Sequence, residues 1–399
     1  MIKIGKPRIE PNGNSLTRLV SDIFVDGEKK TVWAEVDNRY KDYLCDERSD
    51  AFVIGILHYA MKNNHDIICE APMGESLYYQ ITTYLIDSFS KANPRMYAIR
   101  LEADVDEEEL PCGSGVGTGI SCGIDSLHVL ASHTNTKMKK HNITHLTFFN
   151  VGSHGEGERA TQLFEARKQQ AKAFSQEYGF DFVEVNSNIM DMFQQEHFVT
   201  HTFTSMFAVF VLQKLYATYY YASSHSFFEF SVRNMSTISP GYGELLVLDM
   251  FSTENLRLYS EGGTLSRLEK TQEVSKYAPS YKYLNVCTMT ATNCGRCEKC
   301  TRTLLALDIL GRLDYYNAMF DIDYYKRHKQ QYLKTLVAKC ITHNDTYLEM
   351  YPYLKKQITL FTYISSIPVV FKEWAILHIP SGGFKDFLKK MYQVGKRKV

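Results

Sequence analysis

The sequence predicts an α/β protein: a parallel sheet with helices on both faces, an α/β N-terminal extension, a cysteine-rich metal-binding segment and a helical C-terminal region. Three observations carry that expectation. From Cys112 to about Leu310, strand and helix patterns alternate, as they do where parallel strands are joined by covering helices. Within that span a glycine-alternating strand runs into a tight loop and an apolar helix, Gly117-Thr-Gly-Ile-Ser-Cys-Gly-Ile-Asp-Ser-Leu-His-Val-Leu130. Near its end, four cysteines fall between Cys287 and Cys300.

Residues 1–109 form the extension. Its first forty residues read as strands and turns, Lys30-Thr-Val-Trp-Ala-Glu-Val36 being the clearest strand. Asp50 to Lys62 reads as a helix on the apolar spacing of Ala51, Val53, Ile54, Ile56, Leu57 and Ala60, with Asp50 as its cap. A short strand over Asp66–Glu70, a helix over Met73–Ser90 and a strand over Arg95–Leu101 come next, and the acidic run Asp104–Glu109 closes the segment. No catalytic constellation stands out in it, so a scaffolding or dimerising role is expected.

Residues 110–310 hold the chemistry. Gly113, Gly115, Gly117 and Gly119 share one face of an extended strand, leaving it bare for another backbone or a ligand. Ser121, Cys122, Gly123, Ile124, Asp125 and Ser126 then form a loop leading into a helix. Backbone N–H groups, small hydroxyls and a helix N-terminus converge there, which suits an anion such as phosphate. The plainer reading is a glycine-rich turn that lets strand and helix pack. Next come a buried-strand pattern over His145–Val151, a polar loop with His154 over Gly152–Glu158, a helix over Arg159–Tyr178 and a strand over Phe180–Val185. Thr200–Ala222 reads as one long apolar helix and Ser226–Val232 as the next strand, so that Arg233 and Glu254 come after strands and face a cleft at their carboxyl ends.

The spacing Cys287-x6-Cys294-x2-Cys297-x2-Cys300 places four thiols around one tetrahedral ion. Zinc is the expected metal, an iron–sulfur cluster the alternative, and disulfides the pairing that a secreted chain would favour. With no spare ligand the site is structural.

Composition bounds the rest. The 399 residues are 44% apolar and 23% charged with zero formal net charge, ordinary values for a globular protein that give no global argument for nucleic acid or membrane. Residues 311–399 are basic, with 15 Lys and Arg against 7 Asp and Glu, which reads as a solvated helical face or as a surface for a protein partner or nucleic acid. Met1–Pro7 lacks the apolar run of a secretory signal, and Gln213 and Lys214 interrupt the most apolar window, Phe203–Ala222. A cytoplasmic protein with no membrane segment is expected, ending in a disordered Gly395–Val399.

Ser121-Cys-Gly-Ile-Asp-Ser126 resembles the pyrophosphate-binding loop of the PP-loop ATP pyrophosphatases, usually Ser-Gly-Gly-x-Asp-Ser; Cys122 stands at the first glycine. With the four cysteines and the nearby Arg302, residues 110–310 resemble the 7-cyano-7-deazaguanine synthases, PP-loop enzymes of queuosine biosynthesis. Gly152-Ser-His154 and Ser266-Arg-Leu-Glu-Lys270 are similar to that family's glycine–histidine and serine–lysine segments. The extension and the last ninety residues lie outside the resemblance. It implies a Rossmann-like core of the adenine nucleotide alpha hydrolase type and an ATP-dependent ligase. Such an enzyme adenylates a small-molecule carboxylate, releases pyrophosphate and couples the acyl group to ammonia or an amine. ATP would sit on residues 121–126, Asp125 would hold Mg²⁺, Lys270 would neutralise phosphate charge, and His154 would orient substrate or move a proton. Arg233, Glu254 and Arg267 are substrate-binding candidates, and a homodimer is expected. The same resemblance admits tRNA thiolation, sugar amidation, or a non-catalytic nucleotide-binding protein in a defence or surface-polysaccharide system.

Overall fold

The computed structural model describes residues 1–153 and 157–378 of the chain. It divides into two compact units, Met1–Leu265 and a second beginning at Ser266. The expected join at 109/110 falls inside the first unit, whose sheet takes in the extension, and the one at 310/311 falls inside the second.

In the first unit the chain lays down β1 (Ile2–Ile4), β2 (Arg8–Asn12), β3 (Leu16–Val25) and β4 (Glu28–Asp37), then α1 (Asp50–Asn63), β5 (Ile67–Cys69) and β6 (Met73–Gly74). A helix with a π turn in its middle comes next as α2 (Glu75–Gln80) and α3 (Ile86–Ala92), then β7 (Leu101–Glu102) and β8 (Val105–Asp106). The strand expected over Arg95–Leu101 is thus confined to its last residue, because Tyr97 N–H donates to the Met61 carbonyl at the end of α1 instead of to a neighbouring strand. Asp50 does not cap α1. Ser49 is the cap residue, and the buried Asp50 carboxylate accepts from Gly74 N–H and Gln213 Nε2.

The central elements are β9 (Gly115–Gly119), α4 (Ile124–His133), β10 (His145–Asn150), α5 (Glu158–Tyr178), β11 (Asp181–Ser187), α6 (Ile189–Phe193), α7 (His197–Val211), β12 (Tyr216–Ala222), α8 (Val232–Thr237), α9 (Glu244–Phe251) and β13 (Arg257–Glu261). Two expectations fail here. The long helix stops at Val211, and Tyr216-Ala-Thr-Tyr-Tyr-Tyr-Ala222 is a strand, as its β-favouring aromatic and β-branched residues suit. Ser226–Val232 is no strand: a capping box between Ser226 and Glu229 closes a single 3₁₀ turn before α8.

Among the described residues the main sheet has eleven strands, in the order β13-β12-β9-β10-β11-β4-β3-β1-β5-β7 with β2 on β3. The five strands from β13 to β11 are all parallel. β11 then pairs antiparallel with β4, so the extension continues the same sheet. Val183, Val185 and Tyr219 face a core shared with α1 and α7, where Phe52 and Phe207 meet edge to face at 5.7 Å. A Cβ on Gly55 would strike Ile189 and Phe207, which shows how closely α1 seats. On the opposite face Phe148 packs on Phe164 of α5 at 5.2 Å. Helices cover both faces, as expected for a parallel sheet.

The second unit is helical: α10 (Arg267–Val274), α11 (Ser280–Tyr283), α12 (Glu298–Ile309), α13 (Ile322–Arg327), α14 (Lys329–Ile341), α15 (Asp345–Leu348), α16 (Tyr351–Leu354) and α17 (Leu360–His378). Among the described residues no helix is long and apolar enough to cross a membrane. Gly395–Val399 lies outside the described residues.

Candidate functional site

The five parallel strands set the site. Taken in chain order, β9, β10 and β11 step one way across the sheet and β12 and β13 step the other, so the order reverses between β9 and β12. Chain leaving the carboxyl ends of two such strands parts to opposite faces and opens a crevice, where ligands of open α/β sheets bind. β9 and β12 lie in register with Thr118 opposite Tyr220, and the Thr118 hydroxyl donates to the Tyr220 carbonyl at 2.8 Å. The loop leaving β9 at this crevice is Ile120-Ser-Cys-Gly123.

That loop is a tight, internally bonded turn. Ile120 N–H donates to the Thr147 carbonyl at 2.9 Å, fixing the loop to β10. Ser126 Oγ accepts from Ser121 N–H at 3.3 Å and lies 3.1 Å from Ser121 Oγ, while Ser121 Oγ accepts from Gly123 N–H at 3.3 Å. Gly123 is extended and α4 starts at Ile124, with Asp125 in its first turn. The first N–H groups of a helix have no intrahelical partner and sit at its positive end, so the start of α4 attracts an anion. Ser121, exposed, and Asp125, half-buried, flank it.

Cys122 has φ +55°, the left-handed conformation that glycine adopts freely. The Cys122 side chain is only 1% exposed, so its thiol packs in the interior and not in the mouth of the loop. Burial pushes its pKa up to about 12, the behaviour of a packed thiol and not of a nucleophile.

At Gly113, Gly115 and Gly117 the bare glycine face is filled by protein, not left open. Cβ atoms built on Gly113 and Gly115 would lie 2.2 and 2.7 Å from the Leu215 carbonyl oxygen, and one on Gly117 would lie 2.8 Å from the rings of both Tyr216 and Tyr219. The alternation exists to admit β12 and its tyrosines, and Tyr219 is then held by a 2.6 Å contact with the Thr147 hydroxyl.

The remaining expected residues scatter. His154 lies outside the described residues; Gly152 before it is left-handed at φ +107° and pressed against Met190. Arg233 is exposed on α8, beyond the chain that leaves β12. Glu254 does not come after a strand: it stands between α9 and β13, before a strand parallel to β9, and so at the sheet edge opposite the loop. It accepts from the Ser76 hydroxyl and lines an acidic pocket with Arg48, Asp106 and Glu109, which removes it from the crevice. Arg267 and Lys270 belong to the second unit, on α10, whose start Ser266 and Glu269 close with a capping box; Lys270 is buried there. The structure adds His225, which no pattern in the sequence singles out. It comes just after β12 at the crevice edge, meets the Tyr242 ring at a tilt of 32° with centroids 4.1 Å apart, and faces Glu229 at 3.4 Å. Its only sequence signal is Ser223-Ser-His225, after a strand that itself reads as helix.

The four cysteines do converge. Their sulfurs all lie within 4.8 Å of one another and could hold a metal such as zinc. Backbone N–H groups point at the sulfurs: Cys297 to Cys294 at 3.3 Å and Cys300 to Cys297 at 3.5 Å, as the x2 spacing favours, and Met289 to Cys287 at 3.3 Å. Gly295, left-handed at φ +70°, makes the turn, Tyr332 donates to its carbonyl at 2.9 Å, and Cys297 caps α12. The donor set is all thiol, suited to a soft or borderline ion and lacking an open position for catalysis.

Searches of protein-family models, of curated proteins and of solved structures found no significant match to this chain.

Proposed function

We propose that the chain is an ATP-dependent ligase-type enzyme, one that adenylates a small-molecule carboxylate, releases pyrophosphate and transfers the acyl group to ammonia or an amine. One observation carries this reading: the Ser121–Ser126 loop, with its hydroxyls and the start of α4, stands at the reversal point of a five-stranded parallel sheet.

The donors set the chemistry. N–H groups at the start of α4 and the Ser121 hydroxyl hold the β- and γ-phosphates, where charge gathers as the leaving group forms. A substrate carboxylate oxygen attacks the α-phosphorus, the bond from that phosphorus to the α,β-bridging oxygen breaks, and pyrophosphate departs with the electron pair. The acyl-adenylate then reacts at its carbonyl carbon with ammonia, expelling AMP and a proton and leaving an amide. Asp125 would hold an ATP-bound Mg²⁺ through a hard carboxylate oxygen, and the ion would supply positive charge against the phosphates. Zinc at the cysteines would fold its segment and take no part in the reaction.

Sulfur transfer fits less well. It needs an accessible thiolate, and the Cys122 thiol is buried with its pKa raised. The test is release of pyrophosphate and AMP from α-labelled ATP, with ammonium and a panel of carboxylates beginning with 7-carboxy-7-deazaguanine. Carboxylate-dependent release that Asp125→Ala abolishes, with the fold retained, supports the reading; ATP binding with no AMP under any condition supports a non-catalytic nucleotide-binding protein instead.

A further inference from the structure

Helix α17 is built inside out. The side it turns to its own unit carries small hydroxyls: Thr362 and Ser366 are fully buried, and Thr362 Oγ1 donates to Gln330 of α14 at 2.8 Å. The side it turns outward is apolar, with Leu360, Phe361, Ile364, Ile367 and Phe371 each 57–77% exposed. A helix on a globular protein ordinarily packs its apolar stripe inward.

The outward residues are also ordered. Leu360, Ile364, Ile367, Phe371 and Trp374 recur at alternating steps of four and three, the spacing of a seam between paired helices. Together with Phe361 they expose roughly 800 Å² of side chain, about what each partner contributes to a stable interface. A contiguous apolar patch of that size marks an interaction surface.

The occupant that fits is a second copy of the chain. A seam repeated along one helix is complementary to itself across a two-fold axis, which is what an isologous dimer requires. In sequence α17 carries one Lys and one Glu, Lys372 and Glu373, so it has no net charge to select an acidic or basic partner. A helix lying on a membrane would carry several basic residues along its polar side, where α17 presents Thr362 and Ser366. Basic residues later in the sequence, Lys385, Lys389 and Lys390, make an anionic lipid surface the rival to be separated.

We infer that α17 is a dimerisation helix through which two copies of this chain pair along the Leu360–Trp374 stripe. The test is sedimentation equilibrium of the full chain in the micromolar range, for the wild type and for Ile364→Glu/Phe371→Glu, with far-UV circular dichroism of each. The expected result is a two-chain mass for the wild type and a one-chain mass for the variant, with unchanged helicity. Ile367→Ser, a milder change on the same stripe, should weaken the dimer measurably. A wild type of one-chain mass at tens of micromolar, or a variant that keeps the two-chain mass, would overturn the inference. So would loss of helicity in both variants, since these side chains would then belong to the core. The same chains are spun with phosphatidylserine vesicles: a single-chain wild type that sediments with them while the double variant does not would assign the stripe to lipid and also overturn it.

Discussion

Cys122 is held at φ +55° with its thiol in the interior, so two effects act on it in opposite directions. A side chain in the left-handed region costs about 1–2 kcal/mol, and burying a small apolar group returns an amount of similar size. Cys122→Gly should therefore leave stability within about 1 kcal/mol of wild type, because relief of strain offsets lost packing. Cys122→Ala keeps the strain and loses the sulfur, and should be the less stable of the two. Urea midpoints test this, and Ala above Gly would contradict the geometry. The buried histidines make a second residue-scale prediction. Burial, and secondarily Lys62, lowers the His58 pKa to about 4; burial, then His197 and His225, lowers that of His201 to about 3. Both fall well below the ordinary 6.5, so over the window from 6.5 down to about 4 the unfolded chain binds protons that the folded chain refuses. Stability must fall as pH drops through that window, by up to roughly 3 kcal/mol per histidine. Asp50 opposes this: burial raises its pKa to about 6, so the folded chain holds its proton from there down to 3.8 and gains on acidification. Two histidines outweigh one carboxyl, and the urea midpoint should decline from pH 7 to pH 5, less steeply in His201→Gln. A midpoint that is flat or rises would contradict this.

At the scale of elements, the loop and the cysteine knuckle are legible in the sequence because each is local chemistry. Spacing alone brings Cys287, Cys294, Cys297 and Cys300 together, since the turns that aim N–H groups at sulfur are built from neighbouring residues. The purified protein should contain about one zinc per chain, and Cys297→Ser should lose it and destabilise the second unit. A folded preparation without metal, by elemental analysis, would remove the site. The β12 strand is not legible. Phe203 to Ala222 reads as one apolar stretch, and what breaks it is tertiary: Tyr216 and Tyr219 enter the space left by Gly117, a pairing between residues far apart in the chain. The glycine alternation and the tyrosine run explain one another, but neither names its partner in the sequence. With β12 read as helix, the residues after it are misplaced too; His225 is hidden and Glu254 falls on the wrong edge of the sheet.

For the whole molecule, the alternation of strands and helices predicts the parallel sheet, and five of its strands obey it. The fate of residues 1–109 is beyond the reach of sequence, because an antiparallel join such as β11 to β4 leaves no periodic signal in either strand. The consequence is mechanical. The strand next to β9 on one side is β10, which leads through β11 to the extension, so the loop at 120–123 rests on a sheet roughly twice the width of the parallel part alone. A rigid platform holds an anion site to the precision that phosphoryl chemistry needs. Release of pyrophosphate from α-labelled ATP in the presence of a carboxylate and ammonium is the sharpest test of that proposed site. Stoichiometric AMP and pyrophosphate that disappear in Asp125→Ala without loss of fold are the expected result; release that continues undiminished in that variant would overturn the assignment.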